Sequence, residues 1–87
     1  MASYRLEWRA STKKDLRALP SRDVKRLIAA AEALTVNPFP TGSLKLSGSE
    51  HAFRLRVGNY RILYDVFSKI LMIEVIRVAH RKDVYKD

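Results

Sequence analysis

The sequence predicts an α+β fold in the order β-α-α-β-β-β, a helical hairpin packed on one face of a mainly antiparallel four-stranded sheet. Three observations predict it. Val24, Leu27, Ile28, Ala31 and Leu34 keep to the spacing of one helical face. Strict alternation sends Phe53, Leu55 and Val57 to one side of a strand and Arg54 and Arg56 to the other. Gly58-Asn59 then offers a two-residue hairpin turn, since both residues tolerate the positive φ such turns need. With 87 residues, the chain is expected to form a single domain over 1–87, large enough for one core.

The elements follow in order. Tyr4, Leu6 and Trp8 alternate with Arg5, Glu7 and Arg9, the pattern of a half-buried strand. Ser11-Thr12 supplies an N-cap for a short helix running toward Leu19, where Pro20 stops it. Ser21 caps a second helix with Arg22, Lys25 and Arg26 on its exposed side, ended by Asn37-Pro38 because a residue before proline avoids the helical region. Two prolines and two glycines make Pro38 to Ser49 a loop, with a short extended piece at Leu44 to Leu46. Three strands complete the chain: Ala52 to Val57, Tyr60 to Phe67, and Ile70 to Ala79, the last two joined at Ser68-Lys69. Tyr60 and Tyr64 share a side with Ile62 and Val66 and are assigned to the core, as are Met72 and Ile76.

Lys and Arg number 17 against 9 acids, a formal charge of +8. Such a surplus on a short chain predicts attraction to nucleic acid, an anionic membrane or an acidic protein. The absence of cysteine excludes disulfides, thiolate chemistry and sulfur-ligated zinc. Met1 to Trp8 lacks the apolar run of a signal peptide, and no segment has the roughly 20 uninterrupted apolar residues of a membrane span. The expectation is a soluble cytoplasmic protein with no membrane partner.

Several segments together resemble the RelE/ParE toxin family: Tyr-Arg-Leu-Glu-Trp at 4–8, Lys45-Leu46, Phe-Arg-Leu-Arg-Val-Gly-Asn-Tyr-Arg-Ile-Leu-Tyr at 53–64, and His-Arg-Lys-Asp-Val-Tyr at 80–85. The resemblance covers nearly the whole chain and implies the microbial-RNase-like fold of RelE. RelE-type members are toxins of type II toxin–antitoxin pairs that cut messenger RNA in the ribosomal A site without metal or cofactor. ParE-type members share the fold and poison DNA gyrase. By similarity, the RelE catalytic surface falls on Arg54, Arg56, Arg61, Arg81 and Tyr85. Residues 54 and 56 are arginines where the best-known pattern has lysines, and His80 is common in other branches.

Metal-free RNA cleavage proceeds by attack of the 2′-hydroxyl on its own phosphate. It needs a base, charge stabilisation of the phosphorane and an acid for the leaving oxygen. Arginines supply the second, their planar donors suiting phosphate oxygens, but stay protonated to about pH 12 and serve poorly as bases. Arg61 and Arg81 are therefore expected to hold the scissile phosphate, Arg54 and Arg56 to grip and orient, and Tyr85 or His80 to move protons. Each has a plainer reading. Arg61 could pair with Asp65, His80 falls on the opposite face under strict alternation, and Tyr85 could pack over the sheet edge.

The resemblance implies two partners. One is a cognate acidic antitoxin, suited to a charge of +8. The other is the ribosome with its mRNA and rRNA, whose phosphates Lys13, Lys14, Arg17, Lys25, Arg26 and Lys45 would meet without reading sequence. The competing readings are a gyrase poison, in which the arginine face binds protein, and an RNA-binding or regulatory domain that keeps the fold without catalysis.

Overall fold

The computed structural model describes residues 3–85. Two helices pack on a mixed five-stranded sheet: β1 (Arg5–Trp8), α1 (Ser11–Arg17), α2 (Ser21–Ala33), β2 (Ser43–Lys45), β3 (Ala52–Val57), β4 (Tyr60–Phe67) and β5 (Met72–His80). The sheet order is β1-β5-β4-β3-β2, so the first strand lies beside the last. That pairing is parallel, Arg5 to Trp8 against Met72 to Val75, and the other three are antiparallel.

The α+β class is as expected, but the sheet has five strands rather than four. The fifth is β2, a three-residue edge strand shifted one residue from the expected extended piece. Its pairing comes from β3, whose Arg56 N–H reaches the Gly42 carbonyl at 3.1 Å. Helix starts also differ. The N-caps are Ala10 and Pro20, neither with a side-chain cap. Thr12 Oγ1 instead donates back to the Arg9 carbonyl at 2.6 Å, and Ser21 is the first helical residue after Pro20, whose carbonyl accepts from Asp23 and Val24. α1 ends at Arg17, and α2 gives way after Ala33 to turns that run to Asn37.

The core lies between the helices and one sheet face. Leu27, Ala31 and Leu34 of α2 meet Leu55, Ile62, Tyr64, Val66, Ile73, Val75 and Val78, with Leu6 and Trp8 packed at the margin. Tyr64 is fully enclosed, so its hydroxyl needs a partner and donates to the Pro38 carbonyl at 2.8 Å. Tyr60 faces the same side and donates to Asp23 Oδ2 at 2.9 Å.

β4 and β5 slip past one another in the middle. Leu63 pairs with Arg77 and Tyr64 with Val75, leaving Ile76 as an extra residue. Ile73 and Val75 face the core before this bulge and Val78 after it. Where β1 stops, α1 covers the rest of the β5 edge, and Asp15 Oδ2 accepts the Val78 N–H at 3.1 Å. A donor otherwise left on an open edge is thereby satisfied. Met72 and Ile76, expected in the core, sit otherwise. Met72 is on the outer face, its sulfur accepting from Arg5 Nη2 at 3.1 Å, and Ile76 lines a cleft with Ser11, Asp15, Leu63 and Arg77.

A 3₁₀ turn at Ser68–Ile70 joins β4 to β5 and delays the start of β5 to Met72. Leu71 closes it with φ 50°, in the left-handed region that side chains beyond glycine enter at a cost.

Candidate cationic site on the outer sheet face

The face turned away from the core carries the arginines that alternation assigned to it. Arg54 and Arg56 of β3 stand across from Leu63 and Arg61 of β4, and Arg61 stands across from Ala79 of β5. The Arg56 N–H points to β2, so Arg56 and Arg61 form a non-hydrogen-bonded pair, the geometry that brings cross-strand side chains closest.

The turns at this end bring in the remaining residues. Gly58, with φ 58°, makes the tight turn between β3 and β4. Its carbonyl accepts from Arg61 Nη1 at 3.0 Å, and the Tyr60 carbonyl accepts from the same nitrogen at 2.8 Å. The Arg61 guanidinium is therefore tethered to its own hairpin rather than to Asp65. Arg81 follows β5, and its N–H donates to the Asn59 carbonyl at 2.8 Å, fixing it beside that turn. Tyr85 is 63% exposed, while its neighbour Val84 is buried and anchors the segment.

Electrostatics identify Arg61 as the meeting point. Its pKa is lowered from the ordinary arginine value, chiefly by loss of hydration and then by the positive charges of Arg56, Arg54 and Arg81, with Tyr85 acting in the opposite sense. Arg56, Arg54, Arg81 and Tyr85 are thus all near enough to influence the Arg61 guanidinium. Arg54 Nε, in addition, is buried without a hydrogen-bond partner. An oxyanion over the cluster would offset the mutual repulsion and accept the donors left over.

Two expectations need correction. His80 is not part of this cluster. It stands across from Tyr60, on the helix-facing side, with the two rings edge to face at 5.8 Å, and its Nδ1 accepts the Lys82 N–H at 3.2 Å. Alternation along β5 after the bulge, with Val78 facing inward, puts His80 inward as well. Lys45 pairs with Phe53, on the core-facing parity of an edge strand, and is exposed there, apart from the arginines. Lys13, Lys14, Arg17, Lys25 and Arg26 are exposed on the helices. Arg26 reaches the β3–β4 turn, its Nη2 lying 3.2 Å from where a Cβ on Gly58 would be.

Periodicity alone missed Arg77, which the bulge places on the outer face across from Leu63. The rest of that face differs in character. Asp65 and Glu74 lie side by side, and burial followed by Glu74 raises the Asp65 pKa above the usual carboxylate value, with Arg9 and His51 opposing. Arg9 Nη2 lies 3.5 Å from Glu74 Oε1. A separate groove of about 610 Å³, lined by Phe39, His51, Phe53, Phe67 and Ile70 among others, opens at the far end of β3 and β4. Among the described residues, no group of three or more His, Asp or Glu could hold a metal, and no helix is long and apolar enough to cross a membrane.

Comparison with known proteins places this geometry among toxins. Residues 6–85 match the family described as the ParE toxin of the type II toxin–antitoxin system parDE. Toxin RelE3 of Methanocaldococcus jannaschii is 33% identical over 76 residues, covering 83% of this chain and 84% of that protein. Toxin RelG of Mycobacterium tuberculosis is 27% identical over 84 residues, covering 95% and 97%. Among solved structures, the archaeal RelE–RelB complex from Pyrococcus horikoshii OT3 superposes with a TM-score of 0.82 at 26% identity, covering 94% of this chain and 99% of that one.

Proposed function

The chain belongs to the ParE toxin family of type II toxin–antitoxin systems, and we propose that within it this toxin is a ribosome-dependent, metal-independent endoribonuclease that cleaves mRNA in the A site. The observation that carries the reading is the convergence of Arg54, Arg56, Arg81 and Tyr85 on Arg61. A face spending that much like-charge repulsion in one place is organised for a phosphate.

In the proposed reaction, the 2′-hydroxyl gives up its proton to water as its oxygen attacks the neighbouring phosphorus, a P–O bond forms to it, and the bond to the 5′-oxygen breaks. The products are a 2′,3′-cyclic phosphate and a 5′-hydroxyl. Arg61 and Arg81 stabilise the phosphorane charge from positions fixed by backbone hydrogen bonds. Arg54 and Arg56 grip the phosphate and orient the nucleophile. Tyr85 gives its phenolic proton to the leaving 5′-oxygen. The ribosome holds the mRNA in a splayed, reactive geometry, so that a modest set of groups suffices.

The cations of the two helices, Lys13, Lys14, Arg17, Lys25 and Arg26, meet rRNA phosphates and position the enzyme. A cognate acidic antitoxin masks the cationic face. The formal charge of +8 and the presence of RelE–RelB complexes among the similar solved structures support that partner. One observation favours a second reading: the matching family is described as ParE. ParE-type members poison DNA gyrase, and in that case the arginine face would dock on protein.

Mapping mRNA 5′ ends on purified translating ribosomes separates the two. The nuclease reading expects cuts confined to A-site codons, with 5′-hydroxyl ends, weakened by Arg81→Ala and by Tyr85→Phe. Growth arrest with DNA damage and no mRNA cleavage would favour gyrase.

A further inference from the structure

We propose that Arg77 is a positioning residue of the arginine face, holding the segment that carries Arg81 and Tyr85; this deepens the nuclease reading and rests on it. The β-bulge is the first observation. With Ile73 and Val75 facing the core, unbroken alternation would drive Arg77 inward among apolar side chains and turn Val78 out. The extra residue at Ile76 reverses both, so that Val78 is buried and Arg77 stands on the outer face across from Leu63. The bulge sits where β1 ends and α1 takes over the β5 edge, so the strand re-aims one side chain there without losing its edge cover.

The second observation is what Arg77 touches. Its Nη2 donates to the Asp83 carbonyl at 3.1 Å. Asp83 lies midway between Arg81 and Tyr85, in a run of turns that is not part of the sheet. That run is pinned at its start by the Arg81 N–H on the Asn59 carbonyl, and by the His80 carbonyl, which accepts from the N–H groups of Asp83 and Val84. Toward Tyr85 it has the buried Val84 side chain and the Arg77 guanidinium. The planar fork of arginine gives that hold a direction, which a point charge does not.

The test compares the intact chain with Arg77→Ala and Arg77→Lys by backbone ¹⁵N relaxation and by cleavage on purified ribosomes. Both variants are expected to lower the order parameters of residues 81–85 from about 0.85 toward about 0.6, with β3 and β4 unchanged. Turnover should fall about ten- to a hundredfold, while the ribosome concentration for half-maximal cleavage holds. Arg77→Lys keeps the charge, so its failure to restore turnover separates positioning from simple attraction to RNA. Should Arg77→Ala not fold, Arg77→Lys carries the test alone. Unchanged order in 81–85, or full activity in Arg77→Lys, would overturn the proposal. If the intact chain cuts nothing while 81–85 loosens in the variants, the nuclease reading fails and the positioning role is upheld.

Discussion

Replacing Arg56 by glutamine is expected to make the protein more stable and less active. Arg56 is exposed and stands directly across from Arg61 in a non-hydrogen-bonded pair, where Cα atoms are about 4.5 Å apart. Taking the two guanidinium groups about 6 Å apart in water, the repulsion is about 0.7 kcal/mol, and Arg54 on the same face adds a similar amount before screening. Screening and the loss of some stem packing bring the expected gain for Arg56→Gln to about 0.5–1 kcal/mol at low ionic strength. For a domain of this size that is a rise in Tm of roughly 2–8 °C. The gain should vanish near 1 M salt, where the Debye length is about 3 Å. Loss of one charge-assisted phosphate contact should lower mRNA cleavage about ten- to a hundredfold. Thermal unfolding of both proteins at low and high salt, followed by the cleavage assay, reads all three numbers. A variant less stable than the parent at low salt, or a difference indifferent to salt, would refute the claim that this face stores repulsion for the sake of a ligand.

Other expected outcomes concern the scaffold. Asp65→Asn should stabilise the fold by about 0.5 kcal/mol at neutral pH, since the carboxylate is partly buried and sits beside Glu74, the figure being already reduced for solvent screening. A raised acid pKa means that stability is present below the ordinary carboxylate value and lost as pH rises through the folded one, so urea titrations should show the gain shrinking on acidification. Tyr64→Phe leaves the buried Pro38 carbonyl without its donor and should cost about 1–2 kcal/mol in the same assay. Burial also raises the Tyr64 pKa, so the parent should lose stability as pH climbs above about 10, and the phenylalanine variant should lack that loss. Leu71→Gly should stabilise by about 0.5–1 kcal/mol, because Leu71 holds φ 50° at a partly exposed turn; a lower Tm would show that its side-chain packing outweighs the strain.

Much of this site was legible in the chain because a strand has a period of two. Phe53 to Val57 declare which side is core, and the Gly58-Asn59 turn carries that assignment to Arg61 without ambiguity. The long helix was equally clear from its apolar stripe. Neighbours set by pairing rather than pattern were not. β1 joins β5 across 67 residues of sequence, and β2 is three residues in a proline- and glycine-containing loop, a strand only because β3 offers it an edge. The bulge was the costliest omission. Its signal was present: an arginine at 77 in phase with Ile73 and Val75, and a valine at 78 out of phase, which no unbroken strand can satisfy. Following that conflict would have placed Arg77 on the outer face and fixed His80 on the inner one.

Side-by-side incubation of the purified protein with mRNA-programmed ribosomes and with gyrase on supercoiled DNA decides between the two toxin activities. A ribosome-dependent nuclease gives A-site cleavage leaving 2′,3′-cyclic phosphate ends, abolished by Arg61→Ala, with no gyrase-linked DNA breaks. Intact mRNA alongside stabilised DNA breaks would overturn the nuclease assignment.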